Sequence, residues 1–345
     1  TSSAVQITNV PVSTVGRLEH MDGWSFIGTK YPARIFNSNL NDPLSGYKDY
    51  ISCDTEQDTL KTVVKYGRYI LGMGANTIEW FVNAGNAAGS PLSRIQDPSL
   101  IARYANIGLN GSTGAEADQV CVGGGSIWFI SQGAQCGINL HQISGMELKK
   151  IENPIVERIL TQTSVVTIKY IEWAGITMVL LVLGSGTALV YFPQVNEWSY
   201  WLAASTIKFQ TIVNDAVPEG TSIRVYSGIT ISQWSASSPV YRDNTTSYTR
   251  LLRTSMKDFG TTNKKQETDF RIIGDKTSTS ATITIRRTDD DYVTYSAGRT
   301  VDMNIVPASQ KRNGSFYRRA YELSDTATEA LRIEAIEPWI EVLKV

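Results

Sequence analysis

Histidine is nearly missing from this chain of 345 residues: only His20 and His141 occur. That removes the material for HExxH zinc sites, histidine-rich metal centres and most nucleophile–histidine pairs. No Gly-x-Ser-x-Gly elbow is present, and Gly184-Ser185-Gly186 lacks its spacing. Cysteine is as scarce. Cys53, Cys121 and Cys136 are too few and too scattered for a disulfide framework or a zinc site. Cys121 and Cys136 can face each other across a hairpin, but buried free thiols are the expectation. Long apolar runs are absent as well. The longest, residues 174–183, falls far short of the ~20 residues a bilayer-spanning helix needs, and residues 1–20 lack the basic start and apolar stretch of a signal peptide. No membrane insertion is expected. Charge is also low, 19% against the roughly 25% of an average soluble domain. With 32 basic and 33 acidic residues the net charge is -1, so no global basic field exists and any contact with nucleic acid has to be local.

What is abundant is aromatic side chains, glycine and alternation. The chain holds 16 Tyr, 8 Trp and 27 Gly. Residues 66–96 set the pattern. Tyr69, Leu71 and Met73 alternate with Ile70 and Gly72, and Ile78, Trp80 and Val82 alternate with Glu79 and Phe81. Gly74 to Thr77 joins the two runs, which reads as a β-hairpin followed by a Gly- and Asn-rich loop. Strands enter after glycine at Gly23, Gly67, Gly125 and Gly175, about 44, 58 and 50 residues apart. Spacings of 40 to 50 suggest propeller blades, with an ordinary antiparallel sandwich left open on spacing alone. Val165 to Trp173, Thr177 to Leu183 and Leu189 to Phe192 form the strongest β region. Residues 1–15 fit a lone strand that needs an outside partner. Pro98 to Tyr104 fits a single helical turn, and Glu147 to Thr161 is the best helix candidate, interrupted by Pro154.

Around Ser235 to Ser247 the composition turns to Ser, Asn, Thr and Pro, a domain boundary. The expected architecture is all-β: irregular β-propeller blades over residues 1–238, then a β-sandwich-like domain over 239–345. Within the second domain, separate strands are expected at Leu331 to Ile336 and Trp339 to Val345.

Few residues invite chemistry. Asp289, Asp290 and Asp291 are the one carboxylate cluster, which can bind calcium at a strand end but more simply forms a solvated turn. Glu79, Glu172 and Glu197 lie on or beside strands and would have to converge to act on a sugar. Lys264-Lys265, Arg286-Arg287 and Arg318-Arg319 read as solvated faces or subunit contacts, Trp198 and Trp201 as packing aromatics, and Gly123-Gly124-Gly125 as a turn. Asn-x-Ser/Thr triplets begin at Asn110, Asn244 and Asn313. The reading therefore assigns no catalytic, cofactor-binding or metal-binding residue, no cofactor, and no enzymatic activity.

One stretch carries a resemblance. Thr77-Ile78-Glu79-Trp80-Phe81, the Gly-rich loop after it, and Arg94-Ile95-Gln96-Asp97-Pro98-Ser99-Leu100 resemble the tail nozzle, or packaged-DNA stabilisation, proteins of short-tailed phages. Gly16-Arg17-Leu18 through Phe26, Ile35 to Pro43, Ile127 to Ser131 and Asn153 to Leu160 are similar in the same order. Arg318 to Leu323 is a looser match. The resemblance covers about residues 16 to 200, and family members carry a further stretch ahead of the point equivalent to Gly16. The chain is therefore expected to be a fragment, to be processed, or to lack N-terminal blades.

The resemblance implies a structural virion protein in the phage tail, assembled in the host cytoplasm. It implies a homohexameric ring beneath the portal adaptor, contacting tail needle, fibre or tailspike proteins, that stabilises packaged DNA and lets it eject. With a net charge of -1 per chain, contacts to the passing DNA are expected to be weak and salt-sensitive. The alternatives are a propeller-type carbohydrate-binding or glycan-hydrolysing tail protein recognising the host surface, and a cellular propeller scaffold.

Overall fold

The structure is a computed structural model that describes residues 7, 9–55, 58–86, 88–109, 119–133, 137–163, 165–173, 175–201, 211–214, 222–227, 230–235, 249–326 and 331–343. The chain separates into two compact units, residues 1–234 and 235–345.

The first unit is an irregular β-propeller built of antiparallel sheets of three to five strands in chain order. Sheet one holds β1 (Thr14–Met21), β2 (Trp24–Thr29), β3 (Arg34–Asn39) and β4 (Asp42–Ser52). Sheet two holds β5 (Leu60–Tyr66), β6 (Tyr69–Gly74), β7 (Ile78–Asn83) and β8 (Leu92–Arg94), followed by helix α1 (Pro98–Tyr104). Sheet three begins with a short β9 (Gly108–Leu109) and continues as β10 (Val120–Gly123), β11 (Ser126–Gly133), β12 (Gly137–Ser144) and β13 (Glu147–Ile151). Helix α2 (Pro154–Gln162) follows. Sheet four is β14 (Val165–Trp173), β15 (Ile176–Leu183), β16 (Ala188–Phe192) and β17 (Glu197–Trp201). A three-stranded sheet, β18 (Thr211–Asn214), β19 (Ser222–Ser227) and β20 (Thr230–Ser235), closes the unit's sequence.

The strand sequences explain the stacking. In β6 and β7, Ile70 and Phe81 point to a core shared with Phe26 and Ile35 of sheet one, while Leu71, Met73 and Trp80 point to a core shared with Ile127 and Phe129 of sheet three. Sheets three and four share the next core, with Trp128 and Ile130 against Val179 and Leu181. Each central sheet is thus buried on both faces, which is why its strands read as nearly continuous apolar runs rather than as clean hydrophobic–polar alternation. At about 25 cal/mol per Å², two dry faces per strand supply most of the stability of such a stack. Tyr66 ties neighbouring sheets at their turns: its hydroxyl donates to the Gly125 carbonyl at 2.6 Å and accepts the Gly145 N–H at 2.8 Å. A side chain at Gly123 or Gly124 would collide with Tyr170 of sheet four, so the triple-glycine segment is a turn over which an aromatic ring lies.

Glu147 to Thr161 is only partly helical. Glu147–Ile151 is the outer strand of sheet three, paired with β12, and the helix begins at Pro154 with the Asn153 side chain accepting from the N–H groups of Ile155 and Val156. Apolar Leu148 and Ile151 fit a strand edge as well as a helix face, and the available ladder decides between them. Among the described residues of 7–13 there is no strand, and β1 starts at Thr14; residues 1–6 and 8, the rest of the expected lone strand, lie outside the described residues.

The second unit is a β-sandwich-like pair of sheets. Its strands are β21 (Arg250–Arg253), β22 (Lys265–Gly274), β23 (Thr282–Thr288), β24 (Arg299–Asp302), β25 (Ala308–Lys311), β26 (Ser315–Phe316), β27 (Ala320–Asp325) and β28 (Ile333–Val342). One sheet runs β21-β27-β23-β24; in the other, β22 pairs with β25 and β26 on one side and β28 on the other. The two expected C-terminal strands are one: β28 passes straight through Pro338, which an edge strand tolerates because no further strand needs its missing N–H. Phe270, Ile283, Ile285 and Leu323 form the apolar part of the core.

Candidate functional site

Glu79, on β7, is a buried carboxylate beside a small recess. Its Oε1 accepts the Thr55 N–H at 3.2 Å, and its Oε2 lies 2.8 Å from Arg94 Nε. Arg94 in turn pairs with Asp54 and donates to the Ser52 carbonyl at 2.7 Å. Burial raises the proton affinity of Glu79, and the Arg94 charge and the Thr55 hydrogen bonds oppose that shift. The recess beside it measures about 30 Å³ and is lined by Thr55, Trp80, Tyr104 and Ala105 among others. That space suits a water or one hydroxyl group, not a sugar ring. Trp80 packs edge-on to Tyr69 at 5.5 Å and tilted to Tyr104 at 5.7 Å, and its indole N–H has no hydrogen-bond partner among the described residues.

Glu79, Glu172 and Glu197 do not converge. Glu79 is on sheet two, while Glu172 and Glu197 sit on the two outer strands of sheet four, three strand spacings or about 14 Å apart. Paired glycosidase carboxyls stand about 5 to 9.5 Å apart. Glu172 instead accepts the Tyr170 hydroxyl at 2.8 Å, and Glu197 is exposed. Trp198 and Trp201 are packing residues: Trp198 lies 5.1 Å from Tyr191, and Trp201 borders the Ile171–Leu180 cluster. Cys53 and Cys121 are buried thiols; burial pushes Cys121 up to about 12 and Cys53 well above its usual range. Cys136 lies outside the described residues, as do Asn110 and Asn244. Asn313 is buried, with its side chain donating to the Gln310 carbonyl at 2.8 Å, which leaves no exposed amide to glycosylate.

The aspartate run of the second unit divides into three separate tasks. Asp289 receives both sides of the Arg319 guanidinium at 2.8 and 2.9 Å, and Asp291 pairs with Arg318. Asp290 closes its own turn by accepting from Thr288 and Thr294, which lowers its carboxyl to about 2. Among the described residues no three His, Cys, Asp or Glu side chains group as metal ligands.

The basic pairs are not simply solvated faces. In each, one member is buried: Lys265, Arg287 and Arg319. Lys265 Nζ donates to the carbonyls of Thr261, Asn263 and Tyr317 at 2.6–2.7 Å. Glu267, wholly buried, takes Arg319 at 2.9 Å and the Tyr321 hydroxyl at 2.8 Å, with Arg287 3.5 Å away. Strand alternation sends one side chain of each pair inward. The sequence hides the rest, because Lys265 and Glu267 differ in parity from Phe270 and Ile272. A register shift between Glu267 and Asp269 brings both sets to the inner face.

The second unit also leaves an open side. β21 pairs only with β27 among the described residues, and Leu251 and Leu252 on it are 53% and 49% exposed. A groove of about 200 Å³ runs between them and Leu331 and Ile333, flanked by Arg250 and Asp325.

No family model matches the sequence, and no curated protein matches it. Among solved structures, the chain is similar to an exo-β-1,3-galactanase of Phanerochaete chrysosporium, with 9% identity over 95% of each chain and a TM-score of 0.32. It is similar to BamB of Moraxella catarrhalis, with 10% identity over 64% of this chain and 58% of that one, TM-score 0.32. It is also similar to the extracellular domain of a hybrid two component system of B. thetaiotaomicron, with 12% identity over 64% of this chain, TM-score 0.35; there it spans 27% of the other chain. At such values no activity carries across. The expectation that the chain is no enzyme is nevertheless corrected, because several of these neighbours are glycoside hydrolases. The physical reason is that a shortage of histidine excludes histidine chemistry alone; hydrolysis by paired carboxylates needs none.

Proposed function

We propose that the chain is an assembly subunit of a short-tailed phage tail, the nozzle that extends the portal and adaptor channel as a ring and stabilises packaged DNA. The observation that carries this reading is the open side of the second unit. An edge strand bearing two exposed leucines beside an apolar groove is a liability in a monomer and an asset in an oligomer. The ordered stretches that resemble nozzle proteins support it from the sequence side. Several of them hold local structure in place: Glu79 and Arg94 are ion-paired within sheet two, Asp97 caps α1 and Asn153 caps α2. Mass photometry and negative-stain imaging of the purified protein test the reading. A ring, lost in a Leu251→Glu/Leu252→Glu variant, is expected. A monomer at every concentration that also fails to bind a portal–adaptor complex would end it.

A second reading, recognition or cleavage of a host-surface glycan, starts from Glu79, a carboxyl of raised proton affinity beside an aromatic wall, whose recess admits one hydroxyl group of a sugar rather than its ring. A glycan array and release of sugar from labelled oligosaccharides, compared with Glu79→Gln, separate it from the first.

A further inference from the structure

The open side of the second unit has the outline of a missing strand. Leu252 stands in register with Leu323 and Ile285 across β21, β27 and β23; those two are 2% and 0% exposed, while Leu252 is 49% exposed. The apolar row of the inner face thus runs to the edge and ends uncovered. The groove there touches both Leu251 and Leu252, whose side chains point to opposite faces, so it follows the edge of β21 rather than one face. Ile283, Leu323, Leu331 and Ile333 complete its apolar lining. Its two charges already pair, Arg250 Nε donating to Asp325 at 2.9 Å. At about 200 Å³ the groove is smaller than one helical turn with its side chains, a cylinder of roughly 400 Å³, but it accepts a few branched side chains on an extended backbone. The first unit, in turn, begins with a strand former that has no sheet. The Ser13 carbonyl is anchored by the Lys30 N–H at 3.0 Å, but Val12 just before it is 90% exposed. Residues 1–13 hold no charged side chain, and Val5 and Ile7 alternate with Gln6 and Thr8 before Asn9, at φ 67°, and Pro11 end the pattern.

We infer that residues 4–8 of one copy add as a strand to β21 of a neighbouring copy, with Val5 and Ile7 seated in the groove. This assignment rests on reading the chain as a ring subunit. The open edge of β21 supplies unpaired N–H and C=O groups for main-chain hydrogen bonds, and the groove selects the alternate side chains. An uncharged donor rich in β-branched residues suits an apolar lining, because no charge has to be stripped of water to enter it. The donor surface and the receiving surface differ, so the contact is head-to-tail, the kind that closes into a ring when the rotation allows. Residues 9–13 link the donor to β1 and span at most about 18 Å, which sets how near the donor's first sheet must come to its neighbour's groove.

Photo-crosslinking on the full chain tests it. A benzophenone amino acid replaces Leu251, on the outer face, so that the inner row stays intact, and isotopically light and heavy copies are mixed before assembly. Mass spectrometry is expected to find position 251 joined to residues 1–12, in products that pair a light copy with a heavy one. In parallel, Val5→Asp/Ile7→Asp is expected to lower the assembled fraction at least about tenfold, the equivalent of losing about 1.4 kcal/mol of contact. Both positions precede β1, so the variant keeps its fold, and an unchanged melting temperature verifies that. Rings that persist in Val5→Asp/Ile7→Asp and capture no part of residues 1–12 overturn the strand addition and leave the ring reading standing. A wild-type chain that is monomeric at every concentration removes both. Capture within single copies alone, or of another segment, overturns the exchange between neighbours.

Discussion

The two units of the chain solve burial in opposite ways. The propeller unit has 33 charged residues in 234, the sandwich-like unit 32 in 111. In the first, sheets stack through dry layers such as Val179, Leu181, Trp128 and Ile130. In the second, the inner face of β22 passes from Phe270 and Ile272 to Glu267 and Lys265, and the core passes with it from hydrocarbon to ions. A packed apolar layer tolerates small errors by partial relaxation. A buried ion network does not, because each charge relies on a named partner. Hydrogen bonding is incomplete even in the intact network: Glu267 Oε1 and Arg287 Nε face each other at 3.5 Å as an ion pair without a hydrogen bond, and Gln310 Nε2 lacks one as well.

The sharpest way to break the comparison is to remove the centre of the network. Glu267→Ala leaves Arg287 and Arg319 buried without their shared carboxylate, and the second unit is expected to lose about 3–5 kcal/mol. In calorimetry the transition of residues 235–345 should fall or vanish while that of residues 1–234 stays. Equal shifts of both transitions would show that the units do not hold separate cores. The counterpart in the propeller unit is Leu181→Ala, expected to cost about 3 kcal/mol through lost burial and a cavity between sheets three and four. Its effect should appear in the other transition, and urea unfolding followed by tryptophan fluorescence checks it, since seven of the eight tryptophans lie in residues 1–234.

Much of this contrast was legible before the structure, and its hidden part has a specific cause. The hairpin at 69–83, the helix at Pro98 to Tyr104 and the three strands of 165–192 follow from alternation, proline placement and glycine turns, all local signals. The charge network is not local. Lys265 and Glu267 look like a solvent face because strict period-two counting sets them opposite Phe270, and the one-residue register shift that reverses this comes from pairing with β28, about seventy residues away. Asp289 looked like part of a loop cluster for the same reason: its partner Arg319 arrives on a distant strand. Glu79 is the intermediate case. Its place on a strand was readable, but its pairing with Arg94 required knowing that β8 runs beside β7.

A smaller effect separates the units chemically. Cys53 and Cys121 lie in the propeller unit, buried, with thiols pushed far above the pH of ordinary labelling reactions. Mass-spectrometric mapping after mild alkylation at pH 8 should find both unmodified in the native chain and both modified in denaturant, because the thiolate is the reacting form. Modification of Cys121 in the native state would mean that the layer between sheets three and four opens far more readily than its packing implies.

The smallest effect concerns acid, and its sign differs between the units. Asp290 in the sandwich-like unit is held at about 2, below the 3.8 of a free aspartate, by hydrogen bonds from Thr294 and Thr288. A depressed carboxyl contributes stability that is fully present above the unfolded value and is lost as pH falls from 3.8 towards 2. Asp290→Asn should therefore lower the urea midpoint of the second unit at pH 5 and cease to matter near pH 2. Glu79 in the propeller unit is raised above 4.5, so the folded state holds its proton more tightly than the unfolded chain. Its ionisation lowers stability as pH rises through the window just above 4.5, and Glu79→Gln should flatten that decline. Asp290 is fully exposed and Glu79 keeps its Arg94 partner, so both changes are small shifts of midpoint, read only as differences from wild type across the pH series. The opposite slopes are the informative part. If both variants changed the acid limb in the same direction, the carboxyl in the propeller recess would be governed by its ion pair with Arg94 rather than by burial.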